Sequence, residues 1–409
     1  MSPHPRGRNT QPMNWWQRFE ASKDLEQRRP TAWRLGAAAL VFGGVSLLLM
    51  EAGKLPRLPG EARWLLIAAV VLLAPVVGRR VLWNDAERRL RAAWRVAGFL
   101  LLLVWFDIAG IAAGLRLHPS ELARGSGAVL SLSLALLVMV TLVAIIAVRL
   151  IDRRPVRQLG IVPGPGFWGD LAFGFGLGAL LNTVDFGVEI FAGWVRVVGV
   201  AGNRTPGDPF AVAFVQMTAA FLCVGFYEEV LNRGYLLRTL AQGFVGPRIK
   251  PTQALVLAVL LSSASFGLMH VGNPHATLLS SLNIAVAGVV LSLPYVLTGR
   301  LATSIGLHWA WNLFEGVVYG FPVSGIVTPT VALVVTQSGP PLWTGGEFGP
   351  EAGLLDLLVT LMGGALIVWR EHRRRGSLAL CTALVDGAQA LPVAEAATIS
   401  EVESLRPPQ

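Results

Sequence analysis

The residues able to do chemistry fall in three short stretches of a 409-residue chain. The first is "FYEEVLNRGY", Phe226 to Tyr235, which carries Glu228, Glu229 and Arg233. On an α-helix Glu229 and Arg233 are i,i+4 neighbours, with the glutamate in the favoured N-terminal position. Glu228 points about 100° away from Glu229 at 3.6 residues per turn. The spacing therefore assigns Glu229 to Arg233 and leaves Glu228 free to face a cavity. The second stretch is "SSASFGLMHVGNPH", Ser262 to His275, where Phe266 and His270 are i,i+4 near the end of an apolar run. His275 follows a Gly-Asn-Pro turn and reads as a loop residue. The third is "GLHWAWNLFEG", Gly306 to Gly316. His308 and Asn312 again share a helix face, and Glu315, three residues on, is expected to share it.

Taken singly, each stretch has an ordinary explanation. It is an ion pair at a helix end, a packing histidine, or a polar stripe gluing helices together. Together they describe a reaction. A carboxylate beside a neutral imidazole can activate water, as a general base or as paired metal ligands. A second histidine and an amide can donate to a developing oxyanion. Those are the parts of a peptide-hydrolysis site. No GxSxG and no HExxH competes with them.

The elements that must position these groups are membrane helices. Apolar residues make up 53% of the chain, charged residues 14%, and mean hydropathy is +0.57. That composition rejects two or three soluble domains and fits a polytopic membrane protein. A net charge of +9 does not point to nucleic acid, because the arginines cluster in short stretches between apolar runs. Cys223 and Cys381 make neither a disulfide framework nor a CxxC site. No cleavage site follows the first apolar run, so a cleaved signal peptide is not expected. A charge at bilayer depth costs about 2.5–3.5 kcal/mol even on a lenient scale, which makes intramembrane glutamates functional candidates.

The expected fold is all-α: a polytopic transmembrane helical bundle of about ten spans with cytoplasmic N- and C-termini. The spans fall near 34–51, 63–79, 95–115, 127–149, 169–196, 210–230, 253–272, 277–298, 301–321 and 352–369. Basic groups before the first span and after the second, fourth, sixth, eighth and tenth all lie on one side. The run Ser324 to Trp343, broken by prolines, reads as re-entrant or surface-lying. Residues 1–32 form an N-terminal cytoplasmic tail, 33–150 accessory transmembrane helices, 151–370 the functional core and 371–409 a C-terminal cytoplasmic tail. The hinge between accessory part and core is the basic, then Gly- and Pro-rich, Asp152 to Leu171. Residues 376–409 are expected to be loosely ordered.

The EExxxR of Glu228, Glu229 and Arg233, the FxxxH of Phe266 and His270, and the HxxxN of His308 and Asn312 resemble the CPBP intramembrane proteases. This is the type II CAAX prenyl endopeptidase and bacteriocin-processing group, also called Abi. The resemblance covers about 150–370 and includes the basic "RRPVRQLGI" before the fifth span. It implies a membrane-embedded endopeptidase, with a protein or peptide substrate, in the bilayer of a bacterial inner membrane. By resemblance, Glu228 and His270 activate the water, and His308 and Asn312 hold the oxyanion. Glu229, Arg233 and Phe266 shape the site. The family is described both as metalloproteases and as metal-free glutamate proteases. A divalent metal such as zinc would accept Glu228, His270 and His308 as ligands.

The simple spans place Glu228 toward one membrane face and His270 toward the other, about 20 Å apart along the normal. For the pair to meet, the sixth helix must start later or run on to about Leu240, and the seventh must protrude into the cytoplasm near Leu255. Two rival readings stay open. One is a non-catalytic immunity or scaffold protein of the same fold. The other is an ion-coupled transporter, motivated by Asp107, Asp185 and Glu189.

Overall fold

A computed structural model of the chain describes residues 83–84, 89–112, 125–204 and 208–386. The whole N-terminal tail, the first two expected spans and the C-terminal tail from residue 387 lie outside the described residues, as does the side chain of Asp107. The chain divides into two compact units, Arg95–Val245 with Pro251–Gln409, and Met1–Trp94 with Gly246–Lys250. In the smaller unit the described residues form a two-residue antiparallel ladder, Trp83 opposite Leu90 and Asn84 opposite Arg89.

The larger unit is a helical bundle. Its elements are α1 (Ala92–Ala112), α2 (Ser126–Ile146), α3 (Pro165–Phe191), β1 (Val195–Asn203), α4 (Phe210–Glu229), α5 (Arg238–Phe244), α6 (Pro251–Met269), α7 (Leu278–Thr298), α8 (Ala302–Asn312), β2 (Thr330–Gln337) and α9 (Leu354–Arg375). Among the described residues, 5 helices are long and apolar enough to cross a membrane. They are Ser126–Ile151, Gly166–Phe191, Phe210–Phe244, Pro251–Met269 and Leu278–Thr298.

The sixth span does not stop at residue 230. A π-helical segment, Val230–Leu237, joins α4 to α5, so the helical run is 35 residues long. A length expectation of about 20 residues cut it at its first charges. α5 then packs on α6. Measured from that shared end at 1.5 Å per residue, Glu228 stands about 24 Å up one helix and His270 about 28 Å up the other. The separation expected from simple spans is absent, since the two groups line one cavity.

The closest packing is between α3 and α8, and small residues permit it. A Cβ on Gly174 would lie 2.1 Å from the Thr303 carbonyl oxygen, and one on Gly306 would lie 2.1 Å from that of Leu171. This contact carries His308 and Asn312 into the middle of the bundle. Leu177, Leu181, Phe266, Ile284, Leu307 and Val359 form the apolar core beside them.

The fold is not wholly helical. The run expected to be re-entrant or surface-lying contains β2, which pairs antiparallel with β1 from Val195↔Gln337 to Asn203↔Thr330. Both strands are rich in Val, "VRVVGVAGN" and "TVALVVTQ", a composition that suits a pleated surface.

Several arginines read as loop charges are paired, and two of them, Arg95 and Arg154, are buried. Arg95 reaches Asp152 at 3.4 Å and Gln242 at 2.9 Å, and Arg154 pairs with Asp152. Asp170, at the start of α3, binds Arg300, Arg370 and Arg374 at 3.6, 2.9 and 2.7 Å. These contacts tie the basic helix ends together at one end of the bundle. The first residues of the expected loose tail also fold back there. Cys381 donates its N–H to the Val296 carbonyl, and Leu384 and Val385 are buried.

Candidate active site

Glu228 and Glu229 close α4 just before the π segment, and Asn312 closes α8 just before a second one, Leu313–Val318. Such segments insert an extra residue into a turn and so re-aim the faces on either side. Glu229 is fully buried. Its Oε1 accepts from Arg233 Nη1 at 2.8 Å and faces His308 Nδ1 at 3.0 Å. The rest of the guanidinium is used as well. Nη2 donates to the Gly288 carbonyl at 3.0 Å, and Nε lies 3.4 Å from Ser292 Oγ, both on α7. Arg233 also stands 4.6 Å over the ring of Phe266, a cation–π contact in a water-poor setting. Phe266 meets His270 and His308 edge-on, at centroid distances of 4.9 and 6.0 Å. One aromatic ring thus spaces the cation and both histidines.

His270 lies just beyond α6, and its Nδ1 is 2.8 Å from the Phe266 carbonyl. A carbonyl only accepts, so Nδ1 carries a proton. His308 is 7% exposed. Its Nε2 is 3.9 Å from Glu228 Oε2, so a carboxylate faces each ring nitrogen. Glu228 Oε2 is buried and has no hydrogen-bond partner. Its side chain keeps 16% exposure, against none for Glu229.

Glu228, His270, His308 and Asn312 all line one cavity of about 350 Å³. The remaining wall includes Tyr227, Trp311, Asn273 and Asn283, with Glu351, Asp356 and Thr360 from the α9 region. Val129, Leu132, Ser133 and Leu136 of α2 complete it, so a helix expected to be accessory contributes to the site. Ser292 and Gly288, which hold Arg233, carried no sequence signal. Asp356, an aspartate in an apolar span, was a signal open to reading.

Glu315 departs from expectation. It is not part of the cavity wall with His308 and Asn312. The π segment beginning at Leu313 breaks the helix phase that would have aligned it with them. Glu315 sits instead within electrostatic reach of Glu351, Asp356, Asp185 and Glu189.

A zinc ion would need three donors pointing at one centre. Among the described residues no group of three His, Cys, Asp or Glu side chains could hold a metal ion. Glu228, His270 and His308 therefore do not fit a metal centre as they stand.

The geometry and the motif order point the same way as one comparison. Residues 210–314 match the family model Rce1-like, described as type II CAAX prenyl endopeptidase Rce1-like. The matched segment contains Glu228, Glu229, Arg233, Phe266, His270, His308 and Asn312. It is the family that the motifs resemble. The match supports a CAAX-type intramembrane protease as the general class of activity. With the apolar helices, it makes the chain an integral membrane protein. No curated protein and no solved structure matches the chain.

Proposed function

We propose that this protein is an intramembrane endopeptidase. It hydrolyses a peptide bond of a membrane-associated protein or peptide, in CAAX-type C-terminal processing or a related cleavage. The observation that carries the reading is the single cavity onto which Glu228, His270, His308 and Asn312 all turn.

In this reading a water binds between Glu228 and the Nε2 lone pair of His270. Glu228, whose Oε2 has no hydrogen-bond partner, takes the water's proton as hydroxide attacks the scissile carbonyl. The carbonyl oxygen becomes an oxyanion, which Asn312 Nδ2 and His308 Nε2 receive. His308 already faces Glu229 through Nδ1, so to donate from Nε2 as well it acts as the imidazolium. The protonated Glu228 then returns its proton to the leaving amine as the C–N bond breaks. The immediate products are a carboxylic acid and an amine, the acid's proton passes to the amine to leave a carboxylate and an ammonium group, and Glu228 is restored. Glu229 fixes the ring of His308, Arg233 fixes Glu229, and Phe266 spaces both histidines. No step passes through a metal ion.

The same reading carries the full topology. Ten spans with both termini in the cytoplasm, in a bacterial inner membrane, put the basic end of the bundle inside. Residues 151–370 form the protease core.

The experiment is cleavage of a prenylated CAAX peptide by purified protein in liposomes. Wild type is compared with Glu228→Ala and His270→Ala. Cleavage by the wild type and its loss in both variants is expected. Equal cleavage by all three overturns the assigned roles.

A further inference from the structure

The cavity has a second acidic end that the proposed reaction does not use. Glu351 and Asp356 line it alongside Glu228 and His270. Behind them Glu315 is 1% exposed, and neither of its carboxylate oxygens has a hydrogen-bond partner. Asp185 and Glu189 on α3 lie within its electrostatic reach, and each also has one unpartnered buried oxygen. The hydrogen bonds made to this group come from neutral donors. Ser324 gives Glu351 its N–H and its hydroxyl, each at 2.6 Å, and Gln337 Nε2 lies 3.4 Å from Glu189. Among the described residues no arginine or lysine is paired with any of these carboxylates. Arg204, at the same end, spends its guanidinium on the Thr328 and Gly320 carbonyls.

Carboxylates gathered away from water cannot all keep their charge unless something positive joins them. The orphaned, buried Glu315 shows that this group lacks such a partner among the described residues. A cavity leads to it from the proposed cleavage site. The group also lies outside the segment that matches the protease family, so the family match does not account for it.

We propose that the acidic end of the cavity is a subsite for a cationic group on the substrate, the ammonium of a lysine or the guanidinium of an arginine near the scissile bond. Asp356 and Glu351 contact that group, and the carboxyl groups of Glu315, Asp185 and Glu189 lie buried behind them. An organic cation fits better than a metal ion. No three of these side chains could hold a metal ion. Hydrogen bonds from a spread of N–H donors at about 2.7–2.9 Å suit dispersed carboxylates. The proposal rests on the protease reading, since it names a feature of that enzyme's substrate.

The test uses paired peptides that differ only by lysine or norleucine, substituted in turn at the two positions on each side of the cleaved bond. Affinity and kcat/KM are measured for the full-length protein in nanodiscs. At one position the lysine peptide is expected to be favoured by about tenfold or more, the worth of a charged hydrogen bond. Glu351→Gln and Asp356→Asn, both isosteric, should each bring that ratio toward one. Equal binding of lysine and norleucine peptides by the wild type at every position overturns the subsite, whether or not the variants fold. So does a lysine preference that survives both substitutions. Affinity separates the two ideas: a lysine preference in binding with no cleavage of either peptide keeps the subsite and sinks the protease reading.

Discussion

Removing Arg233 should unlock the site from beneath. The guanidinium is 1% exposed and holds Glu229, the Gly288 carbonyl and Ser292, while standing over Phe266. In Arg233→Met, Glu229 keeps only His308 Nδ1 at 3.0 Å, and its Oε2 is already without a partner. Removing one member of a buried ion pair costs about 3–5 kcal/mol, chiefly because the other charge is stranded. Glu229→Gln strands Arg233 in the same way. The double variant strands neither charge. It should be less destabilised than the two single losses added together, by about 2 kcal/mol or more. SDS-induced unfolding of the purified protein in detergent, followed by tryptophan fluorescence, gives the three values. A strictly additive double variant would show that Glu229 and Arg233 do not act as a pair, and the argument for a free Glu228 would go with it.

Other outcomes follow from the same geometry. Glu228→Gln should lower turnover by about 10²–10⁴-fold, the usual scale of general-base loss. It should shift the unfolding midpoint little, because Glu228 Oε2 has no hydrogen-bond partner to lose. Asn312→Ala should cost about 10²–10³-fold in kcat, the worth of one oxyanion donor, with KM nearly unchanged. Gly306→Ala places a Cβ 2.1 Å from the Leu171 carbonyl oxygen. It should destabilise the α3–α8 contact by about 3 kcal/mol, readable in the same unfolding assay. Incubation with chelators should leave cleavage unchanged, since no triad of donors could hold a metal ion among the described residues.

What was legible in the sequence was local. Glu229 and Arg233 are one helical turn apart, so their pairing needs nothing but an α-helix. The same is true of His308 with Asn312, and of Phe266 with His270. What was hidden depends on phase and on distant partners. Two π segments start within one residue of Glu229 and Asn312, and no periodicity rule marks them. The first let a single helix pass through the depth at which a span of ordinary length would have ended, and it removed the apparent mismatch between Glu228 and His270. The second turned Glu315 away from the face it was expected to share. Gly288 and Ser292 look like ordinary small residues of an apolar helix until Arg233 arrives from α4. The strand Thr330–Gln337 could not be told from a membrane-lying segment, because its partner lies more than a hundred residues earlier. The acidic group joins residues from α3, the π segment after α8, and the start of α9, so only tertiary contacts assemble it.

The most direct test of the central claim is product analysis in H₂¹⁸O. Wild-type and Glu228→Gln protein, reconstituted in liposomes, would be supplied with a prenylated CAAX peptide, and the products read by mass spectrometry. The account predicts one ¹⁸O in the new carboxylate formed by the wild type and about a hundredfold less product, or lower still, from the variant. Equal yields of labelled product from both proteins would contradict it.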